Sequence, residues 1–232
     1  MLDVLSIIVA PTVFWFLYHS YKDRFRPEPI VPLVLSYLSG FGAGYLCLKI
    51  YELGNRYGVA ADPDGNRLVF LLYCVLVVGV LEEACKFAPF RLISMQSRHF
   101  DEPIDGIVYA SAVALGFASY ENFKYMEFLE GRELLARAIA SPLMHCMFAS
   151  IWGYACGRAR HDGRPLLRPA LIGLGVAALI HGVYDFLVLA THPFVRPATA
   201  GIVLVIWIWR MRLIRRLHEE HSAAESQTPD DV

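Results

Sequence analysis

Glu82 and Glu83 stand side by side in "VLEEACKF", residues 80–87, after an apolar run that begins at Leu68 and carries no charge before them. Lys86 follows at i+4 and i+3, and on a helix advancing about 100° per residue it projects between the two carboxylates. It can hold one of them charged and leave the other to exchange a proton, the division of labour that acid/base catalysis uses. His181 and Asp185, in "LIHGVYDF", are one helical turn apart. An imidazole with a carboxylate at that spacing is an oriented base or half of a metal site. Glu121 in "LGFASYENFKY" and His145 in "SPLMHCMF" are further ionisable residues inside apolar runs.

The runs themselves must position these groups. Of the 232 residues, 56% are hydrophobic and only 19% charged, against about 45–50% and about 25% in a soluble domain. The apolar runs recur along nearly the whole chain at about 20 residues each, enough to cross a hydrocarbon core of roughly 30 Å. The fold class is therefore all-α, a polytopic transmembrane helix bundle of about seven spans. The spans are expected near 4–20, 30–52, 67–95, 103–128, 134–157, 167–190 and 198–214. Residues 1–217 read as one integral-membrane domain with a core at about 67–190, and 218–232 as a polar tail without fixed structure. The first run has Asp3 and is followed by "YHSYKDRFR", which argues against a cleavable signal peptide. The net charge is −1 and there is no basic domain, so nucleic acid is not an expected partner. The five cysteines are odd in number and all lie in spans, which favours buried thiols over a disulfide framework.

Each charge at mid-bilayer costs about 2.5–3.5 kcal/mol on insertion scales. Glu82, Glu83, Glu121, His145, His181 and Asp185 are spread over four spans at similar depth. The cost falls if they share one hydrated cavity and partner one another. Gly79, Gly116 and Gly182 lie near them and allow close helix approach.

Basic residues bias the connections. Lys22, Arg24 and Arg26 follow the first span; Arg91 and Arg98 the third; Arg158, Arg160, Arg164 and Arg168 the fifth; Arg210, Arg212, Arg215 and Arg216 the last. The alternate connections are poorer in Lys and Arg. This pattern places the N-terminus outside the cell membrane, the C-terminus in the cytoplasm and the polar cluster in the outer half of the bilayer.

Other residues have plainer readings. Cys85 reads as a small packing residue, Asn122 as a helix–helix hydrogen bonder, and Asp105 as the acidic start of a helix. His19, His99, His161, His192, His218 and His221, at ends or in loops, are given no role. Trp207 and Trp209 read as interfacial anchors.

"EEACK" at 82–86, "DGIVYASAVALGFASYENFKY" at 105–125, the membrane His145 and "HGVYDF" at 181–186 together resemble the PrsW family, over about residues 70–190. Its members look like intramembrane proteases related to the CAAX prenyl endopeptidase/bacteriocin-immunity superfamily. Phe117 and Glu121 match the family's Phe-x-x-x-Glu element; the prenyl endopeptidase pattern has His there, which puts a prenylated substrate in doubt. The resemblance implies site-1 cleavage of a single-span membrane protein such as an anti-sigma factor, and a glutamic-type catalyst. Two mechanisms stay open. In one, without a cofactor, Glu82 or Glu83 activates water, while His145 or His181 serves as oxyanion donor or acid and Asp185 orients its imidazole. In the other, Glu121, His145, His181 and Asp185 bind a divalent metal such as Zn²⁺, and one glutamate of the pair is the base. Lys86 and Asn122 support the site in either. The rival from another class is a divalent-cation or proton-coupled transporter, since membrane His and carboxylates also carry ions; a catalytically inactive scaffold is the third reading.

Overall fold

The computed structural model describes residues 5–22, 26–189 and 196–225. Among them every regular element is a helix. Helix α1 begins as a π-helical turn, Leu5–Val9, and continues as Ala10–Lys22. Helix α2 is Ile30–Arg56. Helix α3 has three pieces end to end: Arg67–Tyr73, a π-helical stretch Cys74–Gly79, and Val80–Leu92. Helices α4, α5, α6 and α7 are Pro103–Tyr125, Gly131–His161, Leu167–Leu189 and Arg196–Glu225. One helix thus occupies each expected span.

Local chemistry sets the ends. Asn66, closing the turn-rich "ADPDGNR", caps α3: its Oδ1 accepts from the Leu68 and Val69 amides at 3.0 and 3.2 Å. Helix α4 starts with a capping box: Asp105, the third helical residue, reaches back to accept from the Asp101 and Glu102 amides at 2.8 and 2.6 Å, with Pro103 at the first helical position. That geometry suits Asp105 as a helix start.

Helix α4 is the axis of the bundle. It packs chiefly between α2 and α5, and every residue from Pro103 to Tyr120 is buried. A helix apolar all round and sheathed by others is what a bundle core requires. Four helical stretches are long and apolar enough to span a membrane by composition: Ile30–Arg56, Arg67–Gln96, Gly131–His161 and Leu167–Leu189. Helix α4 is not among them, but its neighbours rather than lipid cover it.

Helix α6 lies against α5 and against the π-helical part of α3. At that crossing a Cβ on Gly79 would overlap the Ala178 carbonyl, and one on Gly182 the Cys74 carbonyl. Only glycine lets these two backbones touch. The contact sets the next turn of α3, with its glutamates, opposite His181. Gly116 instead serves the contact of α4 with Tyr37 of α2.

Two sequence expectations need correction. The tail does not lose structure at residue 218: α7 runs on to Glu225. It is held there by Arg215–Glu219 within the helix at 2.9 Å and by Arg158–Glu220 to α5 at 2.6 Å; residues 226–232 lie outside the described residues, as do Arg24 and His192. Trp207, read as an interfacial anchor, is half-buried and stacks on Tyr18 of α1 at 5.7 Å. His19 is not a terminal bystander but a buried residue, 4% exposed.

Candidate active site

Four helices deliver the ionisable groups to one place. Helix α3 supplies Glu82, Glu83 and Lys86, α4 supplies Glu121, α5 supplies His145, and α6 supplies His181 and Asp185. Glu83 sits at the centre, fully buried. Its Oε1 accepts from Lys86 Nζ at 2.5 Å and from His181 Nδ1 at 2.8 Å. Its Oε2 accepts from Trp152 Nε1 at 2.8 Å. Three donors, one of them cationic, stabilise this carboxylate as an anion and leave it little capacity for a reacting proton.

Lys86 Nζ also lies 3.0 Å from His145 Nδ1. An ammonium can only donate, so Nδ1 is the acceptor and the proton of the neutral ring sits on Nε2. That nitrogen donates to Glu121 Oε2 at 2.9 Å. The same oxygen accepts from the Arg137 guanidinium at 3.0 Å, which rests over the Tyr125 ring at 3.4 Å from its centroid. One unbroken chain therefore runs Arg137, Glu121, His145, Lys86, Glu83, His181. Aromatic rings wall it: Phe148 stacks on His181 at 4.7 Å, and Lys86 Nζ lies 5.0 Å from the centre of Phe117.

Glu82 differs from its neighbour. Its Oε1 accepts from the Tyr51 hydroxyl at 3.3 Å. Its Oε2 has no hydrogen-bond partner and lies 3.5 Å from His181 Nε2. Asp185 Oδ2 lies 3.5 Å from the same nitrogen. With Nδ1–H donated to Glu83, a neutral His181 presents a lone pair at Nε2. Three acceptors then face one another with no donor among them, which is unfavourable unless something positive lies between.

Exposure falls from one side of the cluster to the other. Arg137, Asp185 and Glu121 side chains are 25%, 22% and 19% exposed, whereas Glu83 and Lys86 are at 1% and 0%. Access is therefore from the end of the bundle formed by the C-termini of α4 and α6 and the start of α5.

The donor set fits a divalent metal by type. Glu82, His145 and His181 each offer a ligand atom within 4.8 Å of the others, and two imidazoles with a carboxylate suit zinc. Glu83 on the far nitrogen of His181 is the kind of outer partner that orients a ligating imidazole. The ligand set expected from sequence is Glu121, His145, His181 and Asp185; here Glu82 joins the two imidazoles as a candidate. Glu121 is taken up by Arg137 and His145, and Asp185 stands at the rim against His181. His181 is also oriented differently, since its shortest bond is to Glu83 rather than to Asp185. Asn122 is buried, but neither of its amide atoms has a hydrogen-bond partner, so it is not the helix–helix hydrogen bonder expected.

Three members of the site escaped the sequence reading. Trp152 is seven residues after His145, hence on the same face of α5, and that spacing could have found it. Arg137 is a charge within the first turns of an apolar span. Tyr51, on α2, carried no signal beyond its hydroxyl.

A sequence model described as "PrsW family intramembrane metalloprotease" matches residues 28–211. The chain belongs to that family. It is an intramembrane protease rather than a member of a transporter family. The chain is 28% identical over 219 residues to a protein named Protease PrsW from Clostridioides difficile, covering 91% of this chain and 89% of the relative. It is 30% identical over 190 residues to Protease PrsW of Geobacillus kaustophilus, at 82% and 81% coverage. To Protease PrsW of Bacillus subtilis it is 27% identical over 208 residues, at 89% and 92%. No solved structure matches the chain. The PrsW model and relatives span all four helices that build the site.

Proposed function

We propose that this PrsW protein is an endopeptidase that hydrolyses a peptide bond of a single-span membrane protein, such as an anti-sigma factor, at a site centred on Glu82 and His181. The observation that carries the reading is the meeting of Glu82 Oε2, His181 Nε2 and Asp185 Oδ2 without a donor between them. What reconciles these acceptors is either a divalent ion or an added proton, on His181 or on one of the two carboxylates.

A divalent ion, with zinc as the best match, would be held by Glu82, His145 and His181. When bound, such an ion polarises the scissile carbonyl and eases deprotonation of water. His145 joins only by giving up its bond from Lys86 or its bond to Glu121, because both of its nitrogens are engaged. That engagement favours, as a second reading, a metal-free site with His181 as imidazolium.

Glu83 and Lys86 have the same duties in both. Glu83 fixes the His181 ring through Nδ1, and Lys86 neutralises Glu83. The carboxylate left free, Glu82 in the metal-free reading and Asp185 where Glu82 holds the ion, takes one proton from the attacking water. The water oxygen bonds to the carbonyl carbon, the C–N bond breaks, and the carboxylate returns the proton to the leaving nitrogen. Buried donors near the developing oxyanion add stabilisation. The basic connections support an outward-facing mouth and so a cut on the extracytoplasmic side.

The test uses purified full-length protein and a single-span model substrate. On the metal reading, a strong chelator abolishes cleavage, zinc restores it, and about one equivalent of metal is found by elemental analysis. Full activity after exhaustive chelation, with no metal in the sample, leaves the metal-free reading. No cleavage of any single-span substrate under either condition rejects the substrate class.

A further inference from the structure

Arg137, near the start of α5, stands at the mouth of the cluster with its side chain 25% exposed. Helix α4 holds its guanidinium from two directions, with residues one turn apart. Glu121 Oε2 accepts from Nη2 at 3.0 Å, and the guanidinium carbon lies 3.4 Å from the centre of the Tyr125 ring. A guanidinium stacked on a ring and bonded at its edge has little freedom left.

This is not the usual form of an arginine–carboxylate pair, which is often two parallel bonds, one to each oxygen. Here Nε is buried without a partner. Oε1 of Glu121 makes no hydrogen bond among the described residues. Arg137 instead takes Oε2, the oxygen that already accepts from His145 Nε2 at 2.9 Å. One bond to an oxygen already in use is weaker than a fork, but it fixes where that oxygen stands. Arg137 and His145 are about 12 Å apart along the axis of α5, and Glu121 reaches between them from α4. His145 has one other hydrogen bond, from Lys86 to Nδ1 at 3.0 Å, and its ring meets those of Phe117 and His181 at 5.4 and 5.3 Å. A ring bonded only at Nδ1 can turn about that bond; the second bond, at Nε2, is what stops it.

We propose that Arg137 is a positioning residue: stacked on Tyr125, it holds Glu121 Oε2 as the acceptor that fixes the ring plane of His145 beside His181. Arg137 acts from behind His145 and does not touch the substrate. The effect on cleavage rests on the endopeptidase reading of the site; the order of the His145 ring does not.

The test uses full-length protein in detergent with ¹⁵N-labelled histidine. The Nε2–H of His145, identified by its loss in His145→Phe, should give one sharp resonance that exchanges slowly with water. Arg137→Met keeps the stem and removes every donor; it should broaden that resonance and speed its exchange. On a single-span substrate Arg137→Met should lower kcat by about 10–100-fold, the usual cost of losing such an outer partner. KM should stay within about twofold, because no substrate contact is lost. In a Glu121→Gln background Arg137→Met should cost nothing further, since both act on one oxygen. Arg137→Lys keeps the charge but not the stacked plane. It should show the same changes in resonance and kcat, and it decides the matter if Arg137→Met does not fold. A sharp, slowly exchanging His145 resonance in Arg137→Met or Arg137→Lys overturns the proposal. So does a loss carried by KM, which would make Arg137 a substrate contact, or a full added loss in the double variant. Native protein that cleaves no single-span substrate strikes the proposed function instead, and the resonance still decides the role of Arg137.

Discussion

Replacing Glu82 by Gln keeps the size and hydrogen bonding of the side chain and removes its ability to take a proton or act as an anionic ligand. A general base contributes about 10²–10⁴-fold in rate. Glu82→Gln should therefore lower cleavage by at least that order while leaving insertion and melting temperature close to those of the native protein. Its Oε2 supports nothing else in the fold. Glu83→Gln should behave differently. It strips the carboxylate bonded to Lys86, the only one among the described residues, and disturbs the bonds from His181 and Trp152. Breaking a buried pair from one side costs about 3–5 kcal/mol, so the main signature should be a lower melting temperature and reduced yield. Parallel melting curves and cleavage rates separate the two variants; a Glu83→Gln protein as stable as the native one would contradict this division. The groups of the cluster were legible in the sequence because a charge inside an apolar run has few inexpensive explanations. Which carboxylate was anchored and which was free was not legible, since Lys86 is within reach of both on an ideal helix. Trp152 settles it, and a tryptophan in a membrane span looks ordinary until its N–H is seen to need a partner.

At the scale of elements, the crossing of α3 and α6 does the positioning. The π-helical stretch Cys74–Gly79 lies directly before the glutamates, and such stretches recur at functional sites. Nothing in the sequence announced it, because a wider turn leaves an apolar run equally apolar. Gly79 and Gly182 were visible, but not that their missing Cβ atoms fall on the carbonyls of the opposite helix. Gly79→Ala should force α3 away from α6 and lengthen the 2.8 Å contact between Glu83 and His181. Overpacking of this kind costs about 1–3 kcal/mol, and loss of alignment should reduce cleavage by about tenfold or more. Gly175→Ala on the same helix α6 is the control, since a Cβ there meets nothing within 4 Å. Comparable losses in both variants would show that helix propensity, not the crossing, matters.

For the whole molecule, the number and order of helices could be read from run length, while the central place of α4 could not. Its sequence carries charges near both ends and fails the composition of a lipid-facing span; only the packing of α2 and α5 around it shows why that is tolerated. The extension of α7 to Glu225 was hidden for a related reason, since polar residues that gain ion pairs with α5 look like a free tail in isolation. Orientation is the remaining global property, and it sets which proteins the site can meet. The mouth of the cluster, marked by Arg137 and Asp185, lies at the end of the bundle that also carries the connection between α2 and α3. The opposite end carries the Arg-rich connection between α5 and α6, where Arg158 and Arg164 flank Asp162. Lys and Arg in short connections are retained on the cytoplasmic side, so the mouth should face outward. Asp64→Cys and Arg164→Cys report on the two ends; both positions are exposed, whereas the five native cysteines are buried. A membrane-impermeant maleimide should label Asp64→Cys in intact cells and Arg164→Cys only after lysis. The reverse pattern would turn the mouth toward the cytoplasm. It would leave the chemistry of the cluster untouched but remove the extracytoplasmic face of an anti-sigma factor as the place of the cut.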